Sequence, residues 1–156
     1  MIIEENLYHQ ICSLMPIPCV DLVVEDDQGR ILLLKRSNEP AKGLWWFPGG
    51  RVHFSEMRLE AAKRILQQEC GLEAAEIEEQ KTVDLFLVMK SDKTISHAIT
   101  TIYHMRIGHP MSLKLDDQHQ FAKWRTRSSW KKIKIHEFIK KNMVNSIKKR
   151  VINDEK

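Results

Sequence analysis

Nowhere in these 156 residues is there an apolar run approaching the roughly eighteen that a membrane-spanning helix needs. Cysteine is scarce: three residues, at positions 12, 19 and 70, an odd number without paired metal-ligand spacing. That speaks against a disulfide framework or a zinc site, and for reduced thiols in a cytoplasm. Six glycines and five prolines leave no low-complexity tract, and there is no internal repeat. The opening MIIEENLYHQ has neither the basic-then-apolar build of a signal peptide nor that of a transit peptide, so a cytoplasmic protein is expected.

What is present is ordinary for a soluble domain: 42% apolar and 29% charged residues. The length suits one domain over 1–156 and is too short for two comfortable ones. The net charge of +4 is uneven: from Lys123 onward 12 Lys and Arg face 3 Asp and Glu, +9 against −5 for the remainder. Such a tail could meet nucleic acid. A solvated helix face explains it more simply, and no nucleic-acid partner or membrane is expected.

Residues 1–16 read as an N-terminal arm ending at Met15-Pro16. Residues 19–25 alternate, with Val20, Leu22 and Val24 on one face, and Asp26-Asp27-Gln28-Gly29 is a strong turn signal. Ile31 to Leu34 continues as a second strand, so 19–36 is expected to form a hairpin. Trp45, Trp46 and Phe47 form an aromatic strand of which at least two belong in the core. Residues 74–80 read as a polar connection. Residues 82–89 and 95–107 read as strands rich in β-branched side chains, with His97 and His104 as packing or surface histidines. A loop over 110–117 leads to a short strand at 121–124. From Ser129 the chain is helical in pattern, with Ile139, Met143 and Ile147 one turn apart and lysines around them.

The stretch GLWWFPGGRVHFSEMRLEAAKRILQQECGL, 43–72, organises the chain. After the turn at Pro48-Gly49-Gly50 the spacing predicts one amphipathic helix. Ser55 is its expected N-cap, Glu56 lies in its first turn, and Leu59, Ala62 and Leu66 share a face. Gly71 supplies the left-handed stop. Two adjacent glycines let the backbone approach a ligand closely. Glu69, one turn beyond Ile65, could turn back to that loop as a hard oxygen ligand for Mg²⁺.

Gly50, then Glu56, Arg64, Glu69, Gly71 and Leu72 at these spacings closely resemble the Nudix box, G-x5-E-x7-R-E-U-x-E-E-x-G-U. Two departures stand out: Ile65 replaces the Glu after the Arg, and Gln68-Glu69 replaces a Glu pair. That pattern resembles one subgroup, the GDP-mannose mannosyl hydrolases. The resemblance implies an α/β fold, a Nudix-type α/β/α sandwich with a mixed central sheet.

The same resemblance implies a site. It points to Asp21, in its V-D-L context, as an active-site carboxylate, and to Arg36 and Arg51 as contacts for the diphosphate. It points to Gly49, Glu69 and Gln118 as ligands for Mg²⁺ (or Mn²⁺), and to His119, in Asp116-Asp117-Gln118-His119, as the general base. The implied reaction is hydrolysis of a GDP-sugar, GDP-mannose or GDP-glucose, by water attacking C1 with inversion. An arm like 1–16 contributes to a homodimer in that subgroup. Two alternatives remain open: a Nudix pyrophosphohydrolase cleaving a phosphoanhydride, and a non-catalytic Nudix domain binding a nucleotide sugar or RNA.

Overall fold

The computed structural model describes residues 4–89, 93–108, 113 and 119–143. In chain order its elements are α1 (Glu5–Leu14), β1 (Ile17–Glu25), β2 (Arg30–Arg36), β3 (Trp45–Trp46), β4 (Gly49–Arg51), α2 (Arg58–Cys70), β5 (Glu76–Val88), β6 (Ile95–Arg106), β7 (His119–Thr126), α3 (Arg127–Lys131) and α4 (Glu137–Asn142). The sheet is seven-stranded, in the order β3-β2-β1-β6-β5, with β4 added to β1 and β7 to β2. Only β1 and β6 run parallel; the other described pairings are antiparallel.

β1 lies at the centre and is buried on both faces from Val20 onward, covered from two sides. Val20, Leu22 and Val24 point to one face, where Ala61, Ala62, Ile65 and Leu66 of α2 cover them. Val23 points to the other face with Ile31, Leu33, Trp46 and Phe47, beneath Trp130 of α3 and Ile139 of α4. Each large apolar side chain buried this way contributes about 1.5–3 kcal/mol. Trp130 also donates its indole N–H to the Ile31 carbonyl at 2.9 Å, so its polar edge is satisfied inside the core. The expected mixed α/β architecture, with helices on both faces of the sheet, is the one observed.

The Asp26 turn forms as expected. Gly29 takes φ +71°, and Asp26 Oδ1 accepts from the N–H groups of Gln28 and Arg30 at 3.0 and 2.8 Å. The hairpin beyond it is short, however: β1 and β2 are in register only at Glu25 and Ile31. They then part, because β1 is taken up by β6 and β4 while β2 pairs with β7.

Other expectations shift at their edges. Residues 5–14 of the arm are helix α1, capped by the Glu4 carboxylate. Residues 76–80, read as connection, begin β5, where pairing with β6 outweighs their polar composition. The helix at 58–70 starts later than Ser55, which sits at φ +60°. Glu56 is held instead by Arg64, and Glu60 reaches back to the Met57 N–H at 3.0 Å. Leu59 is 41% exposed, whereas Ala62 and Leu66 are buried. Gly71 stops the helix at φ +66° as expected. The C-terminal pattern resolves into α3 and α4, each with its own cap, Thr126 and His136. Ile139 and Met143 are buried as their spacing predicts; Ile147 lies outside the described residues.

Candidate active site

The site is built where β4 crosses β1. Cys19, Val20 and Asp21 pair with Arg51, Gly50 and Gly49. A Cβ at position 49 would lie 2.7 Å from Asp21 Oδ1 and 2.7 Å from the Val20 carbonyl oxygen, so only glycine fits. The ladder bonds Leu22 N–H to Pro48 O (2.8 Å) and Val52 N–H to Pro18 O (3.0 Å) flank Gly49. Gly49 is therefore in a non-hydrogen-bonded pair whose peptide groups face away from β1. Its N–H donates to Glu69 Oε2 at 3.1 Å, and its carbonyl shares that edge.

Glu69 reaches this point from the buried face of α2. Ile65, one turn earlier, is buried and would touch any Cβ at Gly50, so it fills space where the usual box carries a carboxylate. Gln68 Oε1 accepts from Arg64 Nη1 at 3.1 Å. Arg64 also grips Glu56 through Nε and Nη2 (2.6 and 2.9 Å) and donates to the Arg51 carbonyl at 3.0 Å. Glu56 Oε2 in turn accepts the His53 N–H at 2.8 Å. Hydrogen bonding from Arg64 is the main reason the Glu56 carboxyl is held down at about 2. Arg64 and Glu56 thus lock the loop between β4 and α2.

Asp21 is 5% exposed and accepts from Thr100 Oγ1 at 2.8 Å. Burial pushes its carboxyl up to about 6, against the opposing pull of Thr100, the Arg36 charge and Trp46. Arg36 ends β2, and its buried Nε has no hydrogen-bond partner among the described residues. A buried donor without an acceptor is costly unless a ligand supplies one. The Arg51 guanidinium lies 4.4 Å from the centre of the Tyr8 ring.

Asp21, Arg36, Gly49, Arg51 and Glu69, expected as site residues from sequence, therefore line one cleft of about 430 Å³. The backbone of His119 is in register with Arg36; its side chain, with Gln118 and residues 114–117, lies outside the described residues. Tyr8, Thr100 and the apolar wall of Ile17, Leu85, Leu87 and Ala98 were not anticipated. Tyr8, Ile11 and Cys12 are half-buried at one-turn spacing, a signal for α1 that the short arm concealed.

The donors suit a hard cation. The Glu69 carboxylate and the Gly49 carbonyl sit on one edge, joined by the Gly49 N–H bond. Among the described residues no three His, Cys, Asp or Glu converge as a closed metal cage. Two such oxygen donors fit a divalent cation that takes its remaining ligands from water and substrate.

The family model described as NUDIX domain matches residues 15–151. Over 123 residues the chain is 29% identical to the low-salt glycan biosynthesis protein Agl8 of Haloferax volcanii, covering 78% of each. A shorter stretch of 59 residues is 44% identical to the ADP-ribose pyrophosphatase of Methanocaldococcus jannaschii, spanning 38% of this chain and 34% of that protein. The MutT protein from Methanosarcina mazei Go1 superposes with a TM-score of 0.72 at 20% identity, over 83% of this chain and 92% of that one. The NUDIX domain of Shewanella oneidensis NrtR, solved with ADP ribose, gives 0.65 at 21%, over 85% and 90%. At such identities the two solved structures establish the fold alone.

Proposed function

The chain belongs to the Nudix family and is a Nudix hydrolase, and from that premise we propose that it hydrolyses a GDP-sugar, GDP-mannose or GDP-glucose, to GDP and free sugar. The observation that carries this reading is the reduced carboxylate set. Of the box positions after Arg64, only Glu69 offers a carboxylate at Gly49, while Ile65 is packed and Gln68 is tied to Arg64. Attack on phosphorus in the usual Nudix manner draws on more carboxylates. Breaking the sugar C1–O bond needs fewer, because a nucleoside diphosphate leaves readily: its terminal phosphate has a second pKa of about 6. The similarity to Agl8, a glycan biosynthesis protein, agrees with a nucleotide sugar.

Arg36 and Arg51 bind the diphosphate and offset the charge that gathers on it as the bond breaks. Both arginines line the cleft. Gly49, Glu69 and Gln118 would hold Mg²⁺ or Mn²⁺, whose contribution is further neutralisation of the diphosphate. Asp21 fixes the sugar end of the substrate from its buried position beside Thr100. His119, arriving opposite Arg36 on β7, takes a proton from water as the water oxygen bonds to C1. The C1–O electron pair leaves with GDP, and the sugar inverts at C1. A base of this kind contributes roughly 10²–10⁴ in rate.

The stretch shared with an ADP-ribose pyrophosphatase favours a second reading, cleavage of the phosphoanhydride. Hydrolysis of GDP-mannose in labelled water separates the two. Label in mannose, with GDP as co-product, supports the proposal. Label in phosphate, with GMP and mannose 1-phosphate, replaces it with the second reading.

A further inference from the structure

Two of the three arginines that line the cleft are held in opposite ways. Arg64 is gripped by a carboxylate, and its donors are used on Glu56, the Arg51 carbonyl and Gln68. Arg51 has no such partner: among the described residues no carboxylate pairs with its guanidinium, and what meets it is the Tyr8 ring at 4.4 Å. An aromatic face attracts a guanidinium through the ring's quadrupole without neutralising it or consuming its N–H groups, which lie in the guanidinium plane.

We propose that Tyr8 is the positioning residue for Arg51, holding the guanidinium by one face so that its charge and in-plane donors stay available to the diphosphate of a nucleotide ligand. This rests on the nucleoside diphosphate reading above. The support beneath Tyr8 is built for the task. Glu4 Oε1 and Oε2 cap the start of α1 through the Asn6 and Leu7 N–H groups, each at 3.1 Å. The Tyr8 N–H donates to the Glu4 carbonyl at 2.9 Å, and Ile11 and Cys12 share the half-buried face. Burial pushes the Tyr8 phenol up to about 12, so the ring stays neutral through any working pH. Helix α1 thereby becomes part of the site rather than an appendage to it.

The test is a double-mutant cycle read by calorimetric binding of GDP with Mg²⁺, alongside KM and kcat for GDP-mannose. Tyr8→Leu is expected to weaken GDP binding about five- to twentyfold, the range of a cation–π contact. KM should rise in step while kcat changes much less. Tyr8→Phe, which keeps the ring and drops the hydroxyl, should rescue most of the loss. In an Arg51→Ala background Tyr8→Leu should cost nothing further. If Tyr8→Leu does not fold by circular dichroism, Tyr8→Met, which keeps bulk without a π face, replaces it. Equal losses with and without Arg51, or Tyr8→Phe as damaging as Tyr8→Leu, overturn the inference while leaving the substrate reading intact. Wild-type protein that binds no GDP overturns both.

Discussion

Strand β1 buries two carboxylates, Asp21 at its middle beside the cleft and Glu25 at its far end, and their surroundings treat them differently. At the far end Glu25 is matched. Arg127 forks onto it at 2.8 and 3.2 Å, and His104 Nε2 lies 2.6 Å away. Burial works to raise Glu25, but hydrogen bonds and charge from Arg127 and His104 outweigh it, and the group titrates below its ordinary range. Beside the cleft Asp21 meets a hydroxyl and an indole, with Arg36 acting at longer range, and burial wins. Arg36 keeps an unanswered donor and Arg51 rests on a ring. Charges that serve the fold are satisfied inside it, whereas those at the cleft are left for something that arrives.

The sharpest way to break this comparison is at Glu69. Glu69→Gln removes the one box carboxylate at Gly49. Turnover should fall by about 10²-fold or more with weakened metal affinity, measured by steady-state kinetics across a Mg²⁺ titration. Full wild-type activity in excess chelator would contradict the assignment. Next is Arg127→Met at the far end. Leaving Glu25 and His104 without their cation should cost about 3 kcal/mol in urea unfolding, while KM for the substrate stays put. A raised KM with unchanged stability would mean that the two carboxylates are not separate in function.

The smallest effect is a slope. The folded-state pKa of Asp21, about 6, lies above its ordinary 3.8. Its contribution is therefore fully present below pH 3.8 and is eroded as pH rises through 6. Glu25 has the opposite sign: its contribution is present above the ordinary 4.5 and is lost as pH falls. Asp21→Asn should gain on wild type in urea midpoint between pH 3.8 and 6 and hold that gain above. Parallel curves for the two proteins would show that Asp21 is not strained by burial.

Sequence by itself determined much of this protein, because the relevant signals are local. The alternation of Val20, Leu22 and Val24, the Asp26 turn, the Gly71 stop and the spacing from Gly50 to Leu72 each depend on neighbours within a few residues. The resemblance that those spacings carry pointed to Asp21, Arg36, Gly49, Arg51 and Glu69, which the structure gathers along one cleft. Tertiary structure alone decided three further things. Ser55 did not cap α2, because Arg64, a turn into the helix, claims Glu56 for the loop. Residues 76–80 became strand because β6 offered Glu76 to Glu79 partners from 24 to 30 positions away, as with Glu76 and Arg106. Tyr8 entered the site because the sheet brings β4 beside the start of β1, and α1 immediately precedes that strand. A contact between residues 8 and 51 leaves no periodicity in the chain; it exists only once folding has closed the distance between them.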